Sequence, residues 1–358
     1  MGVFEAIGTE THEEVLFGVD HESGLRTIIA IHDTSLGPAL GGTRFYPYTD
    51  EAEALRDVLR LSKGMTLKSA AAGLDLGGGK AVIIGDPAEI RSERLIRAYG
   101  RVVDSLGGRY ITAEDVGTTV DDMVLIARET KWVSGLPCAQ GGSGDPSPAT
   151  ARGVMAALRA VGERVWDTDD IAGRRVAVQG VGKVGMDLVR RLAEAGAETT
   201  VTDTNPEAVA HAVETYGSNA VGPDDIYDVD CDVFSPCALG ATLNERTIPR
   251  LRCAAVAGSA NNQLATDHDA ERLSEAGILY APDFIVNAGG VINIAVETDG
   301  YSTERAEMMV DRIYDNLSAV FRTVDSDGVG PNEAAMRVAQ RRIDRVGSLR
   351  IRRRPGEN

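Results

Sequence analysis

Residues 175–203 read RVAVQGVGKVGMDLVRRLAEAGAETTVTD, and this stretch decides the fold. Arg175 to Gln179 is apolar and β-branched, as a buried strand requires. Gly180-Val181-Gly182-Lys183-Val184-Gly185 follows at once, then a helical pattern to about Glu194 that Gly196 breaks. Thr199 to Thr202 is a second strand, and Asp203 stands at its end, 23 residues after Gly180. A bare G-x-G-x-x-G is a weak signal. Set between a strand and a helix, with a carboxylate closing the next strand, it becomes a dinucleotide fingerprint. Gly180 permits the tight turn, Gly182 lets backbone approach a pyrophosphate, and Gly185 lets helix and strand pack closely. The helix N-terminus then stabilises phosphate charge. Asp203 would bond a ribose 2′-OH and repel a 2′-phosphate, so the expected cofactor is NAD rather than NADP. The competing reading is a glycine turn in an unrelated α/β fold.

The rest of the chain bounds the answer. At 358 residues it is long enough for two domains, and 43% apolar residues suit a globular protein. No run of 18 apolar residues occurs, so no membrane span is expected. The opening MGVFEAIGTETHEEV is acidic and unlike a secretory leader, which leads to the expectation of a cytoplasmic location. Cys138, Cys231, Cys237 and Cys253 form no C-x-x-C pair and stand apart from the five histidines, so no metal site is expected. A formal charge of −17 makes nucleic acid a poor partner. Scarce lysine with abundant Asp and Glu points to adaptation to high salt, against the plainer reading of an ordinary acidic protein.

Upstream, strand and helix patterns alternate. Leu25 to Ile31 reads as a strand, then a loop carries Gly37-Pro38, Gly41-Gly42 and Arg44. A helix with Leu55, Val58, Leu59 and Ser62 on one face follows, and Asp86-Pro87 starts another that reaches about Leu106. Arg109 to Thr112 is a strand that runs into Asp115. Residues 135–147, GLPCAQGGSGDPS, read as the link between domains. A long helix follows over about 149–165, strands are expected near 229–234, 254–257 and 278–281, and the last helices span about 303–324 and 331–346. The fold class is therefore α/β in two domains. Residues 1–140 form an N-terminal α/β substrate and oligomerisation domain, onto which the helix near 331–346 packs back. Residues 147–330 form a Rossmann dinucleotide-binding domain, with a cleft separating the two.

Residues 64–86, GMTLKSAAAGLDLGGGKAVIIGD, carry the chemistry. Of 37 basic residues only five are lysine, yet Lys68 and Lys80 both fall here, read as two short strands around a glycine turn. Arginine stays protonated near neutral pH, whereas a lysine that is buried or beside another cation can lose its proton. The alternative is that both lysines snorkel from strand edges. With Asp115 they suit oxidation at an amine-bearing carbon: one amine pairs with a substrate carboxylate, the other activates water, and the carboxylate moves protons.

These pieces closely resemble the Glu/Leu/Phe/Val dehydrogenase family, nearest its leucine-acting branch. The matching segments are GPALGGTRFYPY at 37–48, LSKGMTLKSAAAGLDLGGGKAVIIGDP at 61–87, YITAEDVGTT at 110–119 and PSPATARGV at 146–154. QGVGKVG at 179–185, AGSANNQL at 257–264 and PDFIVNAGGVIN at 282–293 complete them. The resemblance implies that Lys68 binds the substrate α-carboxylate with Asn261 or Asn262, and that Lys80 is the base acting on water. It implies that Asp115 transfers protons at the amino nitrogen, that backbone around Gly41 lines the site, and that Thr150 contacts the nicotinamide. Hydride would pass from Cα to NAD, water would add to the imine, and ammonia would leave with a 2-oxo acid. Asp115 has the plainer alternative of capping the next helix, and Asn261 and Asn262 that of loop hydrogen bonding.

By the same resemblance Leu40, Ala113, Val291 and Ile294 surround the substrate side chain. In glutamate enzymes a lysine and a serine stand where Leu40 and Ile294 are here. Without them a buried side-chain carboxylate would go unpaired, so a branched-chain L-amino acid (leucine, valine or isoleucine) is expected. The alternatives are a phenylalanine or glutamate dehydrogenase, or a non-catalytic NAD-binding sensor. The expected partners are the amino acid and ammonia, with further copies of the chain in a homo-oligomer, and neither membrane nor nucleic acid.

Overall fold

A computed structural model describes residues 11–347; the basic run Arg350 to Arg354 lies outside the described residues. The chain divides into two units. Among the described residues, 11–145, 294–302 and 339–347 make the first, and 146–293 with 303–338 make the second.

The first unit runs β1 (Glu14–Asp20), β2 (Leu25–Asp33), β3 (Ala39–Tyr46), α1 (Glu51–Ala71), β4 (Gly77–Ile84), α2 (Pro87–Ile90), α3 (Glu93–Ser105), β5 (Tyr110–Glu114) and α4 (Val120–Ile126). Its sheet has the order β1-β2-β4-β3-β5. β1 and β2 pair antiparallel, as do β2 and β4, while β3 lies parallel to both β4 and β5. Alternation of side chains along the strands gives the sheet two apolar faces. Ile28, Ala30 and Val82 meet Ala54, Leu55, Val58 and Leu59 of α1. Ile29, Ile31, Phe45, Ala81 and Ile83 meet Leu95, Ile96, Tyr99 and Val103 of α3 on the other.

Three expectations for this unit change. The loop expected around Gly41 and Gly42 is strand β3. The lysine window is not two strands around a turn: Lys68 lies in the last turn of α1, and Gly77 to Gly79 are inside β4. Gly64 does not end α1, because it faces open space, and one exposed helical glycine costs only about 1 kcal/mol against alanine. Asp50 starts that helix by accepting from the Glu53 N–H at 2.7 Å. A Cβ at Gly78 would overlap the backbone of Thr66 on α1, so here glycine serves close approach of helix to strand rather than a turn. Finally, the helix expected from Asp86 to Leu106 is two helices. Arg91 is extended (φ −58°, ψ 127°) and Ser92 caps α3, accepting from Leu95 at 3.2 Å.

The second unit carries α5 (Ser147–Trp166), β6 (Arg175–Gln179), α6 (Lys183–Glu194), β7 (Glu198–Thr202), α7 (Pro206–Tyr216), β8 (Asn219–Ala220), β9 (Val233–Pro236), β10 (Ala255–Val256), α8 (His268–Glu275), β11 (Leu279–Tyr280), α9 (Asp283–Val286), α10 (Gly289–Ala295), α11 (Thr303–Asp311), α12 (Ile313–Asp327) and α13 (Pro331–Gly347). α10 and α13 cross the division, their last residues falling in the first unit. The sheet order β11-β10-β9-β6-β7-β8, all parallel, is the doubly wound dinucleotide-binding order with β6 as its first strand. The strand expected at 229–234 begins later, at Val233; ahead of it Asp230 makes only an isolated parallel bridge to Arg252. The helix expected over 303–324 breaks at Arg312, whose angles (φ −64°, ψ −10°) keep the helical hand.

In the first unit Arg342 of α13 donates to the carbonyls of Gly73 and Leu74 at 3.1 and 3.3 Å and to Asp75 at 2.6 Å. Glu297 accepts from the backbone N–H groups of Gly135 and Ser143, at 2.9 and 2.8 Å, fastening the glycine-rich segment within that unit. Among the described residues no helix is long and apolar enough to cross a membrane.

Candidate active site

β3, β4 and β5 place the site of the first unit. Lys80 lies within β4 and is only 7% exposed. Its ammonium donates to Oδ2 of Asp115, which follows β5. Burial pushes the Lys80 pKa below the ordinary lysine value of 10.5; the Asp115 carboxylate opposes that shift and the Arg44 guanidinium adds to it. Lys80 therefore has the two properties a base needs: a depressed pKa and a hydrogen-bonded partner. Snorkelling from a strand edge does not describe it, since β4 has a neighbour on each side and the amine is buried.

Asp115 is held from behind. Its N–H donates to Oγ1 of Thr118 at 2.9 Å, and that hydroxyl lies 2.9 Å from the Thr43 carbonyl of β3. It does not cap α4. Thr119 does, in a reciprocal capping box with Asp122. Beneath the sheet Thr43 Oγ1 meets Thr112 Oγ1 at 2.6 Å and the Tyr99 hydroxyl at 2.5 Å, so β3 and β5 are pinned by side chains as well as by their ladder. Burial raises the Tyr99 pKa to about 12, so the phenol stays neutral in this network.

Lys68, half-buried, sits at the C-terminal turn of α1, where a cation is favoured by the helix dipole. Leu40 and Ala113 are buried on β3 and β5, at 1% and 5% exposure. Gly41 is buried between them, its carbonyl accepting from the Tyr110 hydroxyl at 2.6 Å. Ile294, in the last part of α10, belongs to the same unit.

Two residues here went unmarked in the sequence. Gly42 is the first. The register that pairs Leu40 with Gly78 and Thr43 with Ala81 sets it beside Lys80, and it pairs with Ala113 on the other side. A Cβ at Gly42 would stand 2.8 Å from the Asp115 Cβ. Arg44 is the second, 3.6 Å from Asp115 Oδ2 through Nε. The doublet Gly41-Gly42 two residues before an arginine was the available signal, and reading it as loop hid it.

In the second unit the fingerprint has the backbone its glycines require. Gly180 has φ +96°, a conformation that favours glycine. A Cβ at Gly185 would overlap the Gly180 carbonyl, whereas one at Gly182 would meet nothing within 4 Å. Gly182 is the N-cap of α6 and supplies no side-chain cap. Lys183 and Val184 open that helix, and Val181 is buried. This combination, an uncapped helix N-terminus behind open space, fits an anionic pyrophosphate. Asp203 accepts from the Val181 N–H at 2.7 Å. It also lines an open cavity of about 570 Å³ with Gly180, Thr204, Tyr227, Leu239 and Arg246. Thr150 lies in the first turns of α5 and bonds the Pro146 carbonyl at 3.0 Å. Asn261 accepts from the Asn287 side chain at 2.8 Å, Asn262 is left-handed with φ +51°, and Val291 is in α10.

Comparison with known proteins gives this arrangement its family. Residues 11–132 match the Glu/Leu/Phe/Val dehydrogenase dimerisation domain, and residues 141–211 and 202–350 match the Glutamate/Leucine/Phenylalanine/Valine dehydrogenase domain. The chain is 53% identical over 350 residues to a leucine dehydrogenase of Geobacillus stearothermophilus, covering 98% of this chain and 95% of the relative. It is 49% identical over 335 residues to a valine dehydrogenase of Streptomyces virginiae, covering 93% and 94%. The crystal structure of L-tryptophan dehydrogenase from Nostoc punctiforme superposes with a TM-score of 0.89 at 44% identity, covering 96% of this chain and 99% of that one. The chain belongs to the Glu/Leu/Phe/Val dehydrogenase family.

Proposed function

We propose that this protein catalyses the reversible, NAD-dependent oxidative deamination of a branched-chain L-amino acid, releasing the 2-oxo acid and ammonia. The observation that carries the reading is the buried Lys80 amine on the Asp115 carboxylate, in a chain 53% identical to a leucine dehydrogenase. Lys80, in its neutral form, takes the proton of the water that attacks the oxidised carbon. Asp115 passes protons to and from the substrate's amino nitrogen. Lys68 remains charged and pairs with the α-carboxylate, with Asn261 or Asn262 proposed to assist and the Gly41 backbone as lining. NAD, when bound, supplies the hydride acceptor. Gly180 to Gly185 would hold its pyrophosphate, Asp203 its ribose and Thr150 its carboxamide.

Leu40, Ala113, Val291 and Ile294 are proposed to form the side-chain pocket. Leu40 is buried among strands, and a substrate carboxylate beside it would cost several kcal/mol unpaired. That disfavours glutamate. Leucine, valine and isoleucine differ by a methylene or its placement, worth about 1–3 kcal/mol, so all three are expected substrates. An aromatic substrate is the second reading, favoured by the likeness to the L-tryptophan dehydrogenase structure.

Initial rates with leucine, valine, isoleucine, phenylalanine, tryptophan and glutamate, each with NAD and with NADP, test this. A preference for glutamate overturns the pocket argument, and binding of NAD without turnover of any amino acid supports a sensor instead. We further propose a cytoplasmic homo-oligomer adapted to high salt. The dimerisation-domain match and the exposed Phe17 and Val19 on edge strand β1 support self-association. Light scattering of wild type and Phe17→Glu, and activity across molar KCl, check the two points.

A further inference from the structure

Arg44 points out of β3 toward the Lys80–Asp115 pair, and its surroundings fix it there. Its Nη1 donates to Asp57 Oδ2 of α1 at 2.8 Å, and the Tyr48 hydroxyl donates to the same oxygen at 2.7 Å. Arg60 takes the other Asp57 oxygen at 3.0 Å. So anchored, the Arg44 guanidinium lies between Asp57 and Asp115, with Nε 3.6 Å from the Asp115 oxygen that Lys80 bonds. It also borders a cavity of about 520 Å³ lined by Tyr46, Arg56 and Val116 among others.

We propose that Arg44 is a positioning residue for the amine–carboxylate pair, sharing Asp115 Oδ2 with Lys80 while braced on Asp57. The planar fork matters, because one side chain must face two carboxylates at once. Its permanent charge matters more. When Lys80 gives up its proton, Asp115 would lose its partner and be left as a half-buried anion; Arg44 remains to hold it. The same charge disfavours the protonated amine, which agrees with the direction of the Lys80 shift. The charged groups that act on Lys80 are Asp115 after β5, Arg44 on β3 and Asp57 on α1. Tyr48 and Arg60 act through Asp57, and Lys68 stands on the last turn of α1.

The inference rests on Lys80 being the base, and its test separates the two. Wild type, Arg44→Gln and Arg44→Lys are compared by kcat/KM for leucine with NAD against pH. They are also compared by the pH at which formaldehyde and cyanoborohydride methylate Lys80, read by peptide mass spectrometry. The second measurement needs no turnover. In Arg44→Gln the acid limb of kcat/KM and the onset of methylation both move to higher pH, by about half a unit or more. Arg44→Lys, which keeps the charge without the fork, returns both toward wild type. Curves that coincide in wild type and a folded Arg44→Gln, checked by circular dichroism, overturn the assignment. A wild type that turns over no amino acid, with a methylation curve that still moves, sinks the deaminase reading and leaves the Arg44 assignment standing.

Discussion

Lys80 and Asp115 share a hydrogen bond across a whole strand: β3 runs between β4, which carries the amine, and β5, which leads to the carboxylate. Gly42 makes the crossing possible, because the β3 residue at that level has no side chain to stand in the way. Gly42→Ala is therefore expected to displace Asp115. Its methyl would meet the Asp115 Cβ at 2.8 Å and the Glu114 carbonyl at 2.6 Å. Overpacking of this kind costs about 1–3 kcal/mol, and the loss of alignment is expected to lower kcat more than tenfold. Thermal unfolding and steady-state rates check both, and an alanine variant with wild-type kcat contradicts the argument.

The pH dependence of deamination follows from the sign of the Lys80 shift. A base must be neutral, and a lysine with lowered pKa is neutral over a wider range than an exposed one. kcat/KM is expected to rise with pH through an ionisation below 10.5, the ordinary lysine value. Lys80→Ala is expected to remove that limb and reduce kcat by about 10²–10⁴-fold. Turnover unchanged in Lys80→Ala removes the base assignment.

Leu40→Lys places an amine where the proposed side-chain pocket is apolar. Leu40 is 1% exposed, so an unpaired lysine there is expected to lower the melting temperature. A dicarboxylate such as glutarate is expected to restore part of it by supplying the missing charge. Rates should shift from leucine toward glutamate. No gain for glutamate in a folded variant would place the side-chain pocket elsewhere.

Asp203→Asn separates an observed task of this side chain, holding the glycine turn, from its proposed task at the cofactor ribose. An asparagine oxygen can still accept from the Val181 N–H, now bonded at 2.7 Å, so the glycine turn is expected to survive. The charge that would repel a 2′-phosphate is gone. The kcat/KM ratio of NAD to NADP is therefore expected to fall with little change in unfolding temperature. An unchanged ratio means Asp203 serves the turn alone.

What could be read from residues alone divides by physical cause. The fingerprint at Gly180 was legible because its constraints are local: a strand, a turn and a helix contiguous in the chain. Lys80 stood out by residue type against an arginine-rich background, and Asp115 by its place at the end of a strand and by the family resemblance. Their pairing was not legible, since it depends on β3 being inserted between β4 and β5. Gly77 to Gly79 misled for a related reason. Glycine is a turn residue by conformational freedom, but at Gly78 it answers a tertiary demand, the backbone of Thr66, that no local pattern reveals. Arg44 was hidden by the same loop reading that hid β3.

The glycine at 78 has one more effect. α1 carries Lys68 and β4 carries Lys80, so the height at which the helix rides over the sheet helps set how far apart the two amines stand. Gly78 brings that height to its minimum, because backbone rests on backbone with no side chain as a shim. A methyl group at 78 would act as a spacer under the helix, widening the gap between the Lys68 and Lys80 amines. Gly78 thus works as a gauge for the span between Lys68, the proposed partner of the substrate's carboxylate, and Lys80, the proposed base at its α-carbon.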